Sequence, residues 1–231
     1  MIRYLFTFFI SVLATSVFSQ AISDDGNFNS YSTDSNSKNF IGSSVEAKSY
    51  IGIKGSPYLN DSMIDGVIYL KNSQQVLGKY RYNIYTDELE CASNEKIYTV
   101  KKSENQDYIK IGDTKLLFQS YYYDKEKSKK GYFIELISGK YSLMLKKKIV
   151  YKPEEVDQPY SMPKPNRFEV GEDTYYLSFN GEIARKISSL KTLKKDYPEL
   201  KSLLDTYKEG KNLKREKNIV GLINFINSNS K

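Results

Sequence analysis

Asp87, Glu88 and Glu90 fall within four positions at the end of the stretch KYRYNIYTDELE, residues 79–90, which also holds three tyrosines, an arginine and an asparagine. Two carboxyl groups at a defined separation are all that glycoside hydrolysis asks of a protein, one as proton donor and the other as base or nucleophile. The same residue types also suit a solvated turn at a strand end, where acidic side chains are common. Arg81 and Tyr85 share one face of the stretch if it is a strand, while Tyr80, Tyr82 and Ile84 share the other. A guanidinium stacks on aromatic rings, so Arg81 and Tyr85 read either as a buried strut or as a partner-binding patch. Three basic runs, Lys146-Lys147-Lys148, Lys194-Lys195 and Lys214-Arg215, suit an anionic surface or a solvated face.

The composition removes several chemistries. The chain has no histidine and a single cysteine, Cys91. Imidazole-dependent acid–base and nucleophilic mechanisms are therefore excluded. Zinc sites built on nitrogen and sulfur ligands are unsupported, and no spaced acidic calcium loop is present. No glycine-rich phosphate loop or dinucleotide fingerprint occurs. No cofactor is expected, no intrachain disulfide can form, and Cys91, in a strand-like run, reads as a buried inert thiol. The chain is expected not to be an enzyme.

The N-terminus reads as an export signal. Arg3 precedes an apolar run from Tyr4 to Phe18, and Val17 and Ser19 occupy the small-residue positions before a cleavage point at Gln20. The run is shorter than the roughly 20 apolar residues a spanning helix needs. Residues 20–46 are dominated by Ser, Asn and Asp and read as a flexible polar leader. The net charge of +7 is unevenly placed. Residues 20–185 balance, with 23 basic against 23 acidic side chains, whereas residues 186–231 hold 11 basic and 5 acidic. The basic character belongs to the C-terminal part.

From residue 47 to 152, short runs rich in Tyr, Ile, Val, Leu and Phe alternate with Gly, Asn, Asp and charged clusters. This is the pattern of successive antiparallel strands. Residues 143–149 read as one continuous strand, 138–140 as a hairpin turn and 123–131 as a longer charged loop. Four of the six prolines fall in residues 153–168, a Pro-rich strap. Asn180-Gly181 then marks a two-residue hairpin turn. Beyond it the period becomes helical: Leu193, Leu200, Leu203, Leu204, Leu222, Ile223 and Ile226 recur at threes and fours. Ser188 or Ser189 suits an N-cap, and Pro198 a new helix start. The expected fold is a β-rich α+β protein: an antiparallel barrel or sandwich of seven to ten strands, then a β-hairpin and two or three short C-terminal helices. The hairpin and helices make a module over residues 169–231.

The phrases GSPYLNDSMIDGVIYL, KYRYNIYTDELE, GYFIELISGKYSLMLKKK, PYSMPKPNRFE and IVGLINFIN together resemble an uncharacterised family of exported, Tyr-rich proteins of flavobacteria-type Gram-negative bacteria. The resemblance covers residues 47–228. It implies a periplasmic or outer-membrane-associated setting and brings no activity; the export signal by itself also allows secretion. The triplet Asp61-Ser62-Met63 resembles the O-glycosylation acceptor pattern of that phylum, which makes Ser62 a candidate acceptor.

These readings converge on an exported, non-catalytic binding or accessory protein. Its basic C-terminal module would meet an envelope protein or an anionic envelope component rather than nucleic acid, with peripheral membrane contact. Candidate contact residues are Arg81, Tyr85, Lys194, Lys195, Lys214 and Arg215. The alternative is a carboxylate-dependent hydrolase acting on glycan or peptidoglycan through Asp87, Glu88 and Glu90.

Overall fold

The computed structural model describes residues 41–44, 50–93, 96–155, 163–207, 212–213 and 215–230. The expected signal peptide, most of the leader, Lys214 and part of the proline-rich strap lie outside the described residues. Among the described residues thirteen strands run in chain order: β1 (Ile41–Ser44), β2 (Ile64–Leu70), β3 (Gln75–Asn83), β4 (Glu88–Ser93), β5 (Lys96–Val100), β6 (Gln106–Ile111), β7 (Thr114–Tyr122), β8 (Ser128–Ile137), β9 (Tyr141–Lys146), β10 (Ile149–Lys152), β11 (Arg167–Val170), β12 (Thr174–Phe179) and β13 (Arg185–Lys186). Helices α1 (Leu190–Asp196), α2 (Lys201–Thr206) and α3 (Glu216–Asn229) follow, with a 3₁₀ turn at Pro198–Leu200 between the first two.

Eleven strands form one antiparallel sheet, in the order β1-β5-β4-β3-β2-β6-β7-β8-β9-β12-β13, and β10 and β11 form a separate pair. The sheet is curled into a half-barrel, and the β-rich architecture with C-terminal helices is the expected one. Ile41–Ser44, assigned by composition to the polar leader, instead pairs with β5. The continuous strand expected at 143–149 breaks after Lys146: β9 pairs with β8 and β12, whereas β10 turns away to pair with β11. The proline-rich strap is thus the connection of the β10–β11 hairpin, closed near its base by a Glu155–Lys164 bridge. The charged loop expected at 123–131 shortens, because Ser128–Lys130 already pair with β7.

Cross-strand register places Tyr80, Tyr82, Leu89, Ile68, Ile109, Leu116 and Tyr132 on one face of the sheet. The rings of Tyr82 and Tyr132 approach to 5.8 Å, although β3 and β8 are four strands apart. In a flat sheet that separation would be roughly 19 Å. The first core therefore fills a curl spanning β3 to β8.

A second curl opens on the opposite face. Phe133 pairs across from Leu117, and Met144 from Tyr176, on the side away from Tyr132 and Leu143. Tyr121, Phe133 and Tyr176 meet edge-to-face, with centroids 5.0, 5.2 and 5.3 Å apart. β7 and β12 are three strands apart, about 14 Å in a flat sheet. Ala184 explains the closeness. Its N–H donates to the Ser120 carbonyl, and its carbonyl accepts from Tyr122 N–H, so the segment entering β13 returns to β7. Asn180 and Gly181, with φ of 46° and 77°, make the turn that sends it back.

The helices cover the β9–β12 part of the first face. Leu193, Leu200, Leu204, Leu222, Ile223 and Ile226 are buried there against Tyr141, Leu143 and Leu177, with Leu203 packed at the margin. Ser189 caps α1 by accepting from Thr192 N–H. Polar contacts reinforce this packing. The Tyr197 hydroxyl donates to the Leu177 carbonyl at 2.7 Å. The Asn227 amide accepts from Tyr141 N–H at 3.0 Å and donates to the Tyr141 carbonyl at 2.9 Å, as a neighbouring strand would. Leaving a buried peptide group without partners costs about 1–3 kcal/mol. Asn227→Ala should therefore lower the unfolding free energy in urea by about 2 kcal/mol or more, whereas Asn224→Ala, on the exposed face of the same helix, should stay within about 0.5 kcal/mol of the wild type.

Candidate functional site

The KYRYNIYTDELE stretch forms β3, a turn over Ile84–Asp87 and the start of β4. The strand ends at Asn83, so Ile84 and Tyr85 belong to the turn; Ile84 is nevertheless buried in the same core as Tyr80 and Tyr82, as expected. Asp87 has φ +57°, a left-handed conformation in which Asp and Asn are among the best tolerated residues. This backbone turn carries its carboxylate across to β8. Asp87 Oδ1 accepts from the Tyr82 hydroxyl at 2.7 Å, from Tyr132 N–H at 3.2 Å and from Lys146 Nζ at 2.6 Å. Lys146 Nζ also donates to the Tyr132 carbonyl at 2.7 Å. Both peptide groups of Tyr132 on the side facing β9 are thus satisfied by side chains, at the point where β9 leaves β8.

Gly131 permits the approach: a Cβ there would lie 2.6 Å from Asp87 Oδ2 and 2.8 Å from Lys146 Nζ. Lys102 Nζ stands 3.6 Å from Asp87 Oδ2. Burial lowers the proton affinity of Lys146; the Asp87 carboxylate opposes that shift, while the charges of Lys102 and Lys129 add to it. Burial, then the negative charge of Asp87, raises the Tyr82 hydroxyl well above its ordinary range, so it stays protonated and donates.

Arg81 lies on the other side of β3. Its Nη2 is 2.6 Å from Glu90 Oε2, and its guanidinium sits 3.6 Å from the centroid of Tyr58. Nη1 donates to the Asp61 carbonyl at 3.0 Å. Asn83 Nδ2 donates to Glu90 Oε1 at 3.3 Å and to the Tyr50 hydroxyl at 3.4 Å. Of the two readings of Arg81, the strut describes its position: it bolts the 50–61 segment onto β3 and β4. Its ring partner is Tyr58, not Tyr85. Tyr85 is half-exposed and packs on Phe168 at 5.3 Å.

The three carboxylates do not converge. Asp87 is held by Lys146 at the β8 edge, Glu90 is held by Arg81 on the far face, and Glu88 pairs through its backbone with Asn83. Among the described residues, no three His, Cys, Asp or Glu side chains gather to hold a metal ion. Cys91 is half-buried, and burial followed by the nearby Glu90 charge pushes its thiol up to about 11. It is a protonated, weak nucleophile at neutral pH.

The basic runs divide. Lys146 points to Asp87, Lys147 pairs with Asp173 at 3.2 Å, and only Lys148 is exposed. In the helical module Lys194 pairs with Asp205, while Lys195 and Arg215 are exposed. Ser62 is exposed in the loop before β2. The Asp87–Lys146 pair had no sequence signal, since its members stand 59 positions apart.

Searches against protein-family models, curated proteins and solved structures find no match to this chain. Breaking a well-buried ion pair costs about 3–5 kcal/mol, less where water reaches the charges. Asp87 and Lys146 side chains are 24% and 17% exposed. Asp87→Asn keeps the backbone preference and removes only the charge, so it should lower the urea unfolding free energy by about 2–4 kcal/mol. Glu88→Gln should change it by less than about 0.5 kcal/mol.

Proposed function

We propose that the chain is a non-catalytic, exported binding or accessory protein of the periplasm or outer membrane, and that its basic helical module meets an anionic envelope component. The observation that carries this reading is how the module disposes of its charges. Glu199 accepts from the Tyr141 hydroxyl and Glu216 from the Tyr175 hydroxyl, each at 3.1 Å, and Asp205 pairs with Lys194. Lys191, Lys195, Lys201, Arg215 and Lys217 are exposed. These three acidic side chains are tied to the body or to a neighbour, whereas the five basic ones are left to solvent. Tyr141 and Tyr175 are both pushed up to about 12, by burial first and then by their carboxylate partners. They therefore remain donors throughout the neutral range.

A carboxylate hydrolase would need two acids that converge and can change protonation. Asp87 and Glu90 instead occupy separate ion pairs, which weighs against that alternative.

Sedimentation with phosphatidylglycerol-containing vesicles tests the reading. Binding should fall steeply between about 50 and 500 mM salt, as the screening length shrinks from over 10 Å to a few ångströms. The variant Lys195→Glu/Lys201→Glu/Arg215→Glu/Lys217→Glu should lose binding while keeping the wild-type urea midpoint. Salt-independent binding that survives in this variant would move the partner surface to the strands.

A further inference from the structure

We infer that Lys102, Lys129 and Lys146, gathered at the fork where β9 leaves β8, form a binding site for an oxyanion carried on a sugar-sized body, distinct from the helical module. Three observations converge there. First, charge is out of balance. Asp87 is the only carboxylate that ion-pairs with any of the three among the described residues, and Lys146 already holds it at 2.6 Å. Lys102 reaches it only at 3.6 Å, beyond a normal hydrogen bond. Lys129 has no carboxylate partner among the described residues; its ammonium lies over the rings of Tyr121 and Tyr123, 5.6 and 5.2 Å from their centroids.

Second, the cluster is held by the fold. Lys146 is fixed by Asp87 and the Tyr132 carbonyl, and its ammonium lies over the rings of Phe133 and Tyr121, 5.0 and 5.7 Å from their centroids. Lys102 approaches the same acid at 3.6 Å, and Lys129 lies over the same Tyr121 ring as Lys146, so the three charges share one region. Gathering like charges around one acid costs stability unless a counter-charge sits among them. A ligand oxyanion supplies that counter-charge and accepts from the donors that Lys102 and Lys129 leave free.

Third, the site has an open side and an apolar wall. The β8–β9 pairing ends at Ile134 and Leu145, so among the described residues the edge of β8 from Ser128 to Gly131 has no neighbouring strand on that side. The Tyr123 ring is about half exposed beside Lys129. Aromatic faces pack against the apolar face of a small ring, and Lys donors fit phosphate or carboxylate oxygens as point charges.

Isothermal titration of the full chain at constant ionic strength, with glucose 6-phosphate, glucuronate and glucose as probes, tests this site. Saturable binding of glucose 6-phosphate or glucuronate, and none of glucose, is expected; the tighter of the two acids identifies phosphate or carboxylate as the group recognised. Lys102→Gln/Lys129→Gln should weaken binding at least about tenfold, the scale of one lost charge-assisted contact. Both side chains are at the surface, and an unchanged urea midpoint checks the fold. Should that midpoint move, Lys129→Gln alone, which breaks no ion pair with a described residue, carries the test. The four-site charge-reversal variant of the helical module should bind as the wild type does, so this site and the vesicle-binding surface fail or survive separately. Equal binding by the lysine variant, loss of binding in the module variant instead, or no saturable binding of either acid would overturn the inference.

Discussion

One carboxylate joins the two halves of this protein. Asp87 is contacted from one sheet face by the Tyr82 hydroxyl and from the other by the Lys146 ammonium, and in the plane between them by Tyr132 N–H. The sheet curls around an aromatic and aliphatic core on each side, and β7 and β8 are shared by both curls. Where β9 departs from β8, peptide groups would be left bare in a half-buried place. Asp87 and Lys146 satisfy them and fix the β3–β4 turn against the opposite end of the curl. A neutral residue at 87 could fill the space but would leave the largely buried Lys146 ammonium, set over Phe133 and Tyr121, without its counter-charge. The left-handed backbone at Asp87 and the absent side chain at Gly131 are the two local conditions that let this contact form.

The same economy appears at the helices. Apolar burial of α1, α2 and α3 against β9 and β12 supplies the bulk of the attraction, and a few polar bonds set the alignment. Asn227 takes the place of a strand beside Tyr141, Tyr197 caps the Leu177 carbonyl, and Glu199 and Glu216 accept from body tyrosines. Those two glutamates orient the module and hold their negative charge beside the body, although both residues remain exposed. Fold and surface potential are thus set by the same residues.

Much of this was legible in the sequence. Period-two runs of Tyr, Ile and Leu located most strands, Asn180-Gly181 located a hairpin, Ser189 and Pro198 located helix starts, and the leucines of the last 40 residues named the module's core. Alternation also placed Tyr80 and Tyr82 inward. What stayed hidden is what alternation does not encode. Period two separates the faces of a strand but does not say that a sheet buries both, so Phe133 and Tyr132 could not be assigned to different cores. The Lys146-Lys147-Lys148 run looked uniform, yet its members go to a buried acid, a surface acid and solvent because the backbone changes sheets within it. Arg81 was recognisable as an aromatic-stacking residue, but its ring, Tyr58, comes from a loop whose path depends on the small β10–β11 sheet.

The double-mutant cycle of Asp87→Asn and Lys146→Met, followed by urea unfolding, tests most directly whether this ion pair fastens the two curls together. The account predicts a coupling energy of about 1–3 kcal/mol, with the double variant more stable than the sum of the single losses implies, because the neutral pair no longer strands a buried charge. Additivity within about 0.5 kcal/mol would contradict it, and would mean that the two curls are held by their separate cores alone.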